Sequence, residues 1–168
     1  MLVYRAKIVA AGFGLATALA TGTLPSPVLA ATSTATFQVS ANVTATCLIS
    51  ATNLAFGAYT GTVASASSTV SVTCTNTTPY NVGLDAGTSS GSTVATRKMT
   101  GPGGALLAYS LSRDSAHTLN WGNTVGTDTQ AGSGSGSAQT LTVYGQIAAN
   151  QFVAAGNYTD TITATITY

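Results

Sequence analysis

The stretch Thr36-Phe37-Gln38-Val39-Ser40-Ala41-Asn42-Val43-Thr44-Ala45-Thr46 alternates strictly: Phe37, Val39, Ala41, Val43 and Ala45 are apolar, and every residue between them is polar. A period of two places the apolar set on one face of a β-strand and the polar set on the other. This run stands ahead of the first cysteine, where most domains have only a frayed end. The sequence closes on a second run of the same kind, Ile162, Ala164, Ile166 and Tyr168. A spare strand in front and a strand at the very end are the expectation for a subunit that lends a strand to its neighbour.

Residues 1–30 read as an export signal. Arg5 and Lys7 make a basic start, and residues 8–20 form an apolar core too short for a comfortable membrane span. Pro25 and Pro27 break that core, and Val28-Leu29-Ala30 puts small residues where a signal peptidase needs them. The expected cut follows Ala30, with Ala31 as the neighbouring choice; an uncleaved anchor is the other reading. The domain plan is therefore a signal peptide over 1–30, a leading strand over 31–46 and a β-sandwich domain over 47–168.

Removing Arg5 and Lys7 leaves Arg97, Lys98 and Arg113 against Asp85, Asp114, Asp128 and Asp160, a net charge of −1. So few charges give no electrostatic footprint for nucleic acid or an anionic membrane. Abundant apolar and β-branched residues argue against disorder. Plentiful Thr, Val, Ser and Gly, with no glutamate at all, favour strands over helices. Cys47 and Cys74, in an exported chain, read as a disulfide. It would close a loop of just under thirty residues, worth about 3–4 kcal/mol on the chain-entropy picture. A free or metal-binding pair is the alternative, and the single histidine, His117, gives it little support.

Behind Cys47 the strand signals recur at short intervals: Leu54 to Tyr59, Val70 to Cys74, Tyr80 to Leu84, Leu107 to Leu111, Leu141 to Ile147, and Ile162 to Tyr168. Turn residues separate them, notably Pro79, Gly101-Pro102-Gly103-Gly104, the Gly/Ser run over 132–137, and Gly156-Asn157. This is the pattern of an all-β sandwich. About six strands fall short of the roughly seven that an immunoglobulin-like sandwich uses to cover its core. The shortfall predicts an open edge and an apolar groove, which the leading strand would fill in its own molecule or in the next.

These residues resemble the spore coat U domain family, which includes the major subunits of archaic chaperone–usher pili. The resemblance is carried by the leading strand before Cys47, Leu54-Ala55-Phe56-Gly57 with Tyr59, and Ser71-Val72-Thr73-Cys74. It continues through Pro79-Tyr80, Leu84-Asp85-Ala86-Gly87, Arg97-Lys98-Met99, and Leu107 with Tyr109, Leu111, Arg113 and Asp114. Val143-Tyr144-Gly145 and residues 156–161 complete it. It implies an incomplete immunoglobulin-like sandwich plus an N-terminal donor strand, exported through the periplasm to a cell-surface pilus that supports adhesion and biofilm formation. The implied partners are neighbouring copies or related pilins, a periplasmic chaperone and an outer-membrane usher, with no nucleic acid and no cofactor. Carried onto this chain, the donor positions are Phe37, Val39, Ala41 and Val43, and Ile162, Ala164, Ile166 and Tyr168 border the acceptor groove. A self-complemented secreted spore-coat or matrix protein is the alternative reading.

Strand addition of this kind takes affinity from backbone pairing and register from alternate side chains. Burying Phe37, Val39 and Val43 at roughly 1.5–3 kcal/mol each would supply about 5–9 kcal/mol before ordering costs. Ala41 and Ala45 are small for pocket-filling residues. The remaining chemistry-bearing residues form no catalytic set, so no enzyme is expected. His117 in the polar turn over 112–120 reads as a surface histidine, with no nucleophile elbow beside it. The four aspartates are too scattered for a calcium loop or other metal site. Asp160 and Tyr158 read as fixing the turn into the last strand. Trp121 reads as core or loop packing rather than an exposed carbohydrate platform.

Overall fold

The computed structural model describes residues 29–168. The expected export signal over 1–30, all but its last two residues, therefore lies outside the described residues. The chain divides between Ser40 and Ala41. The described part of the first unit, residues 29–40, holds no strand and is exposed throughout. All described strands belong to the second unit, Ala41–Tyr168.

Among the described residues eight strands are formed: β1 (Cys47–Ala51), β2 (Ala64–Cys74), β3 (Pro79–Leu84), β4 (Arg97–Thr100), β5 (Leu106–Ser112), β6 (Gln130–Ser133), β7 (Gln139–Ile147) and β8 (Ala164–Thr167). They pair antiparallel in a five-stranded sheet, β1-β2-β7-β5-β4, and a three-stranded sheet, β6-β3-β8. The two sheets make a sandwich of the all-β, immunoglobulin-like kind. Inward positions on β2, β3, β5 and β7 alternate with wetter ones, as a half-buried sheet requires. Val70, Val72, Val82, Leu84, Leu111 and Val143 form the centre of the core.

The strand list differs from the sequence reading in two ways. β1, β4 and β6 are additional; each is four or five residues long, too short for alternation to stand out. Conversely, the run Leu54 to Tyr59 sends Leu54, Phe56 and Tyr59 toward the core, yet no strand is assigned over 52–63. Pairing with β2 ends where the Thr52 N–H bonds the Thr69 carbonyl at 2.9 Å. The leading run 36–45 also forms no strand.

Register fixes two poles. At one, Cys47 and Cys74 are joined by a disulfide, and the turn over 75–78 is held by Gly134 through Thr77 N–H to Gly134 O (2.8 Å) and Gly134 N–H to Thr78 O (2.7 Å). At the opposite pole lie the start of β2, the end of β7 and the start of β5, since Ala64 pairs with Ile147 and Thr100 with Leu106. β8 runs from this second pole toward the disulfide pole, Ala164 opposite Leu84 and Thr167 opposite Asn81.

Candidate functional site

The site grows out of two strands that each lack a neighbour. Among the described residues β1 pairs only with β2, and β8 only with β3. They approach one another toward the disulfide pole. Away from it they part, and a groove of about 700 Å³ opens between them. One wall is the continuation of β1, residues 51–56; the other is residues 158–162 with Ala164. The floor is core: Val70, Leu84, Leu111, Val143 and Tyr109. An apolar cleft flanked by two rows of unpaired backbone groups is chemically a receptor for an extended strand.

Each wall is held in place by recognisable devices. Gly145 has no side chain because Leu54 and Phe56 pack where a Cβ would stand, 2.8 and 2.9 Å from its ideal position. Phe56 meets the Tyr109 ring edge-on at 6.1 Å between centroids. On the opposite wall Thr159 exchanges two backbone hydrogen bonds with Thr100 of β4, at 2.9 and 3.1 Å. Residues 158–167 thus begin on the five-stranded sheet and cross to the three-stranded one. Asp160 fastens the crossing. Its carboxylate accepts from the Thr88 N–H (2.8 Å), the Thr88 hydroxyl (3.0 Å), the Thr161 N–H (2.9 Å) and the Tyr109 hydroxyl (2.7 Å). Tyr158 donates to the Ala154 carbonyl at 2.7 Å. Both residues bond around the turn into the last strand, as their positions predicted.

Behind this wall Arg97 is fully buried. Its guanidinium donates to the carbonyls of Asp85 (2.8 Å), Val94 (2.7 Å), Leu84 (2.9 Å) and Trp121 (2.7 Å). Burial lowers its pKa, against the pull of Tyr109 and of the Asp85, Asp128 and Asp160 carboxylates; it stays protonated. Burial also raises the Tyr109 pKa, helped by its hydrogen bond to Asp160 and that residue's charge. Tyr109 is therefore a proton donor to Asp160 at any ordinary pH. Trp121 is core, as expected, its indole N–H donating to the Val82 carbonyl at 2.8 Å.

Of the four predicted groove-border positions, Ile162 and Ala164 line the groove. Ile166 packs against the core outside it, and Tyr168 lies beyond the end of β8, 57% exposed. Phe37, Val39 and Val43 are 87, 83 and 79% exposed, and Ala41 is exposed too. His117 is half-buried, its ring edge-on to Tyr144 at 6.4 Å, rather than at the open surface; its positive φ and the Asp114 turn around it tuck it inward. Sequence reasoning missed the wall over 51–53 and the part played by Met99, Asp160 and Tyr109 in the groove. Of the first wall, only Leu54 to Phe56 carried a signal, as part of the run Leu54 to Tyr59. No three His, Cys, Asp or Glu side chains gather among the described residues.

Comparison with known proteins places this architecture. The family model described as "Spore Coat Protein U domain" matches residues 33–165. "Protein U" of Myxococcus xanthus is 34% identical over 160 residues, covering 85% of this chain and 89% of that protein. The fold is shared with a chain in the crystal structure of the CsuC–CsuE chaperone–tip adhesion subunit pre-assembly complex from archaic chaperone–usher Csu pili of Acinetobacter baumannii. That likeness has a TM-score of 0.57 at 23% identity and covers 75% of this chain, which spans 40% of the matched one. With the family model matched over nearly all of the described residues and a relative alike along most of its length, this chain belongs to the Spore Coat Protein U domain family.

Proposed function

We propose that this chain is a structural subunit of an extracellular pilus or fibre, built by donor-strand complementation through a chaperone and an usher. The observation that carries the reading is the core-lined groove between two free strand edges, in a chain that also owns an alternating, unpaired and exposed run over 36–45. Phe37, Val39, Ala41 and Val43 are the donor positions, and residues 51–56 and 158–164 are the acceptor. Residues 1–30 are removed on export and 31–46 form the donor segment. The family, and a structural neighbour from a chaperone–subunit complex of a pilus, support a structural role rather than catalysis. Adhesion and biofilm formation follow as the work of such a fibre at the cell surface.

The anchoring of the leading segment favours donation to another copy. At the disulfide pole the Thr46 N–H bonds the Thr75 hydroxyl (2.8 Å), and the Thr75 N–H bonds the Thr46 carbonyl (2.9 Å). The Thr75 hydroxyl also reaches the Thr44 carbonyl at 3.4 Å. To lie along β1 in its own molecule the segment would have to reverse between Thr44 and Cys47, and a reversal takes a turn of at least two residues. The bonds to Thr75 occupy the residues that would make it. A strand from a second copy enters at the opposite pole and runs antiparallel to β8. This is a head-to-tail contact, which propagates as a filament when it does not close.

Deleting residues 32–44 tests the reading. The truncated subunit should be recovered bound to its chaperone and should form no fibres. Fibres from the truncated protein would end the donor-strand proposal, and a stable lone full-length monomer on size exclusion would favour a self-complemented coat protein.

A further inference from the structure

We propose that the pole at the groove mouth is a second docking surface, outside the groove, for the disulfide pole of the copy whose segment fills it. This rests on the donor-strand reading above.

The loop over 148–157 crosses that pole from one groove wall to the other. At one end the Tyr59 hydroxyl donates to the Ala148 carbonyl (2.6 Å) and accepts from the Gln151 N–H (3.1 Å). At the other end Tyr158, in the second wall, holds the Ala154 carbonyl. In between, the Gln151 side-chain amide takes the place of a strand, bonding both the N–H (2.8 Å) and the carbonyl (2.9 Å) of Ala108. A loop this firmly fastened nevertheless presents Phe152 at 86% exposure, its ring edge against Gly61. Val63, just before β2, and Leu106, at the start of β5, are exposed at the same pole. One exposed apolar residue is ordinary, but several exposed at one pole point to a contact surface.

The donor's own geometry names the occupant. Three residues separate Val43 from Cys47, so with Val43 in the mouth the donor's Cys47 can stand no farther away than about 14 Å, at roughly 3.3–3.6 Å per residue. The next residue, Leu48, is 74% exposed. The tether therefore brings the disulfide pole of the second copy, Leu48 first, onto the pole that carries Phe152. The loops that would face each other, 75–78 and 134–138 on one copy and 57–63, 101–105 and 148–157 on the other, contain no charged residue. Nothing there repels the approach, and no charge is stripped of water by it.

The test separates groove from pole. Uptake of a peptide of residues 33–45 by the full chain reports the groove alone, and self-association of the full chain by sedimentation reports groove and pole together. Phe152→Ser should take up the peptide within twofold of the wild type and self-associate at least fivefold more weakly. Leu48→Ser should do the same, and combining the two should add little, as for residues that touch. Unchanged self-association in both variants overturns the pole contact, as does a parallel loss of peptide uptake. If the wild type takes up no peptide, the groove reading falls and this inference falls with it.

Discussion

Arg97 shows how one buried side chain can hold separate parts of a sandwich. It joins the end of β3, the loop before β4 and the segment carrying Trp121 by satisfying four carbonyls at once. Replacing it by methionine leaves those acceptors unpaired in the interior, and the expected loss is about 3–5 kcal/mol, read by chemical denaturation. Titration follows from the same neighbourhood. Burial pushes the Asp85 pKa up, but hydrogen bonds from Thr163 and Gly87 and the Arg97 charge outweigh it, leaving it below the ordinary value. Asp114 is lowered as well, first by the Leu119 N–H. The unfolded chain then takes up these protons first, so the stability both supply is full above about pH 4 and is lost as the pH falls through the lower folded values. Tyr109 has the opposite sign: its raised pKa makes its contribution full below about pH 10 and lost above. Thermal melts should show a plateau between two falling limbs, with Asp85→Asn flattening the acid limb and Tyr109→Phe the alkaline one; limbs unmoved by these changes would refute the assignment. Little of this was legible in the sequence. Arg97 could be recognised as part of a motif, but its partners are backbone carbonyls from distant segments, and carbonyls leave no sequence signature.

Among the elements, the long central strands were readable because β2 and β7 alternate over many residues with one face buried. The short ones were not, since β6 is Gln-Ala-Gly-Ser and holds no large apolar residue. The first groove wall was half-read: Leu54, Phe56 and Tyr59 do turn inward, but periodicity reports the side chains and not whether the backbone is paired. The same limit applies to the leading run, whose alternation describes a strand without naming its partner. Gly145 offers an element-level test. A side chain there must push Leu54 and Phe56 aside, so Gly145→Val should weaken uptake of the 33–45 peptide at least fivefold, while Gly83→Ala, which crowds the backbone of Asn123 instead, should not. The Cys47–Cys74 link ties the start of β1 to the end of β2. Replacing both cysteines by serine should cost about 3–4 kcal/mol in denaturant titrations, and should also loosen the exit of the donor segment.

At the scale of the whole molecule, the sandwich has one side unfinished. Two sheets share a core, yet between β1 and β8 that core is open along a groove, and the groove walls are built rather than frayed: Gly145, Tyr109, Asp160 and the Thr100–Thr159 pair hold them apart. Such an opening costs stability unless something fills it, and the chain's own alternating segment leaves the body at the far pole. The direct test of this account is cross-linking between two chains, one carrying a cysteine at Ile162 and the other a cysteine at each position from 37 to 43 in turn. The account predicts disulfide-linked heterodimers from one odd, apolar position or two adjacent ones, the pair that the register sets beside Ile162, and none from Gln38, Ser40 or Asn42. Cross-links that form only when both cysteines sit in one chain, or that favour the even positions, would contradict it.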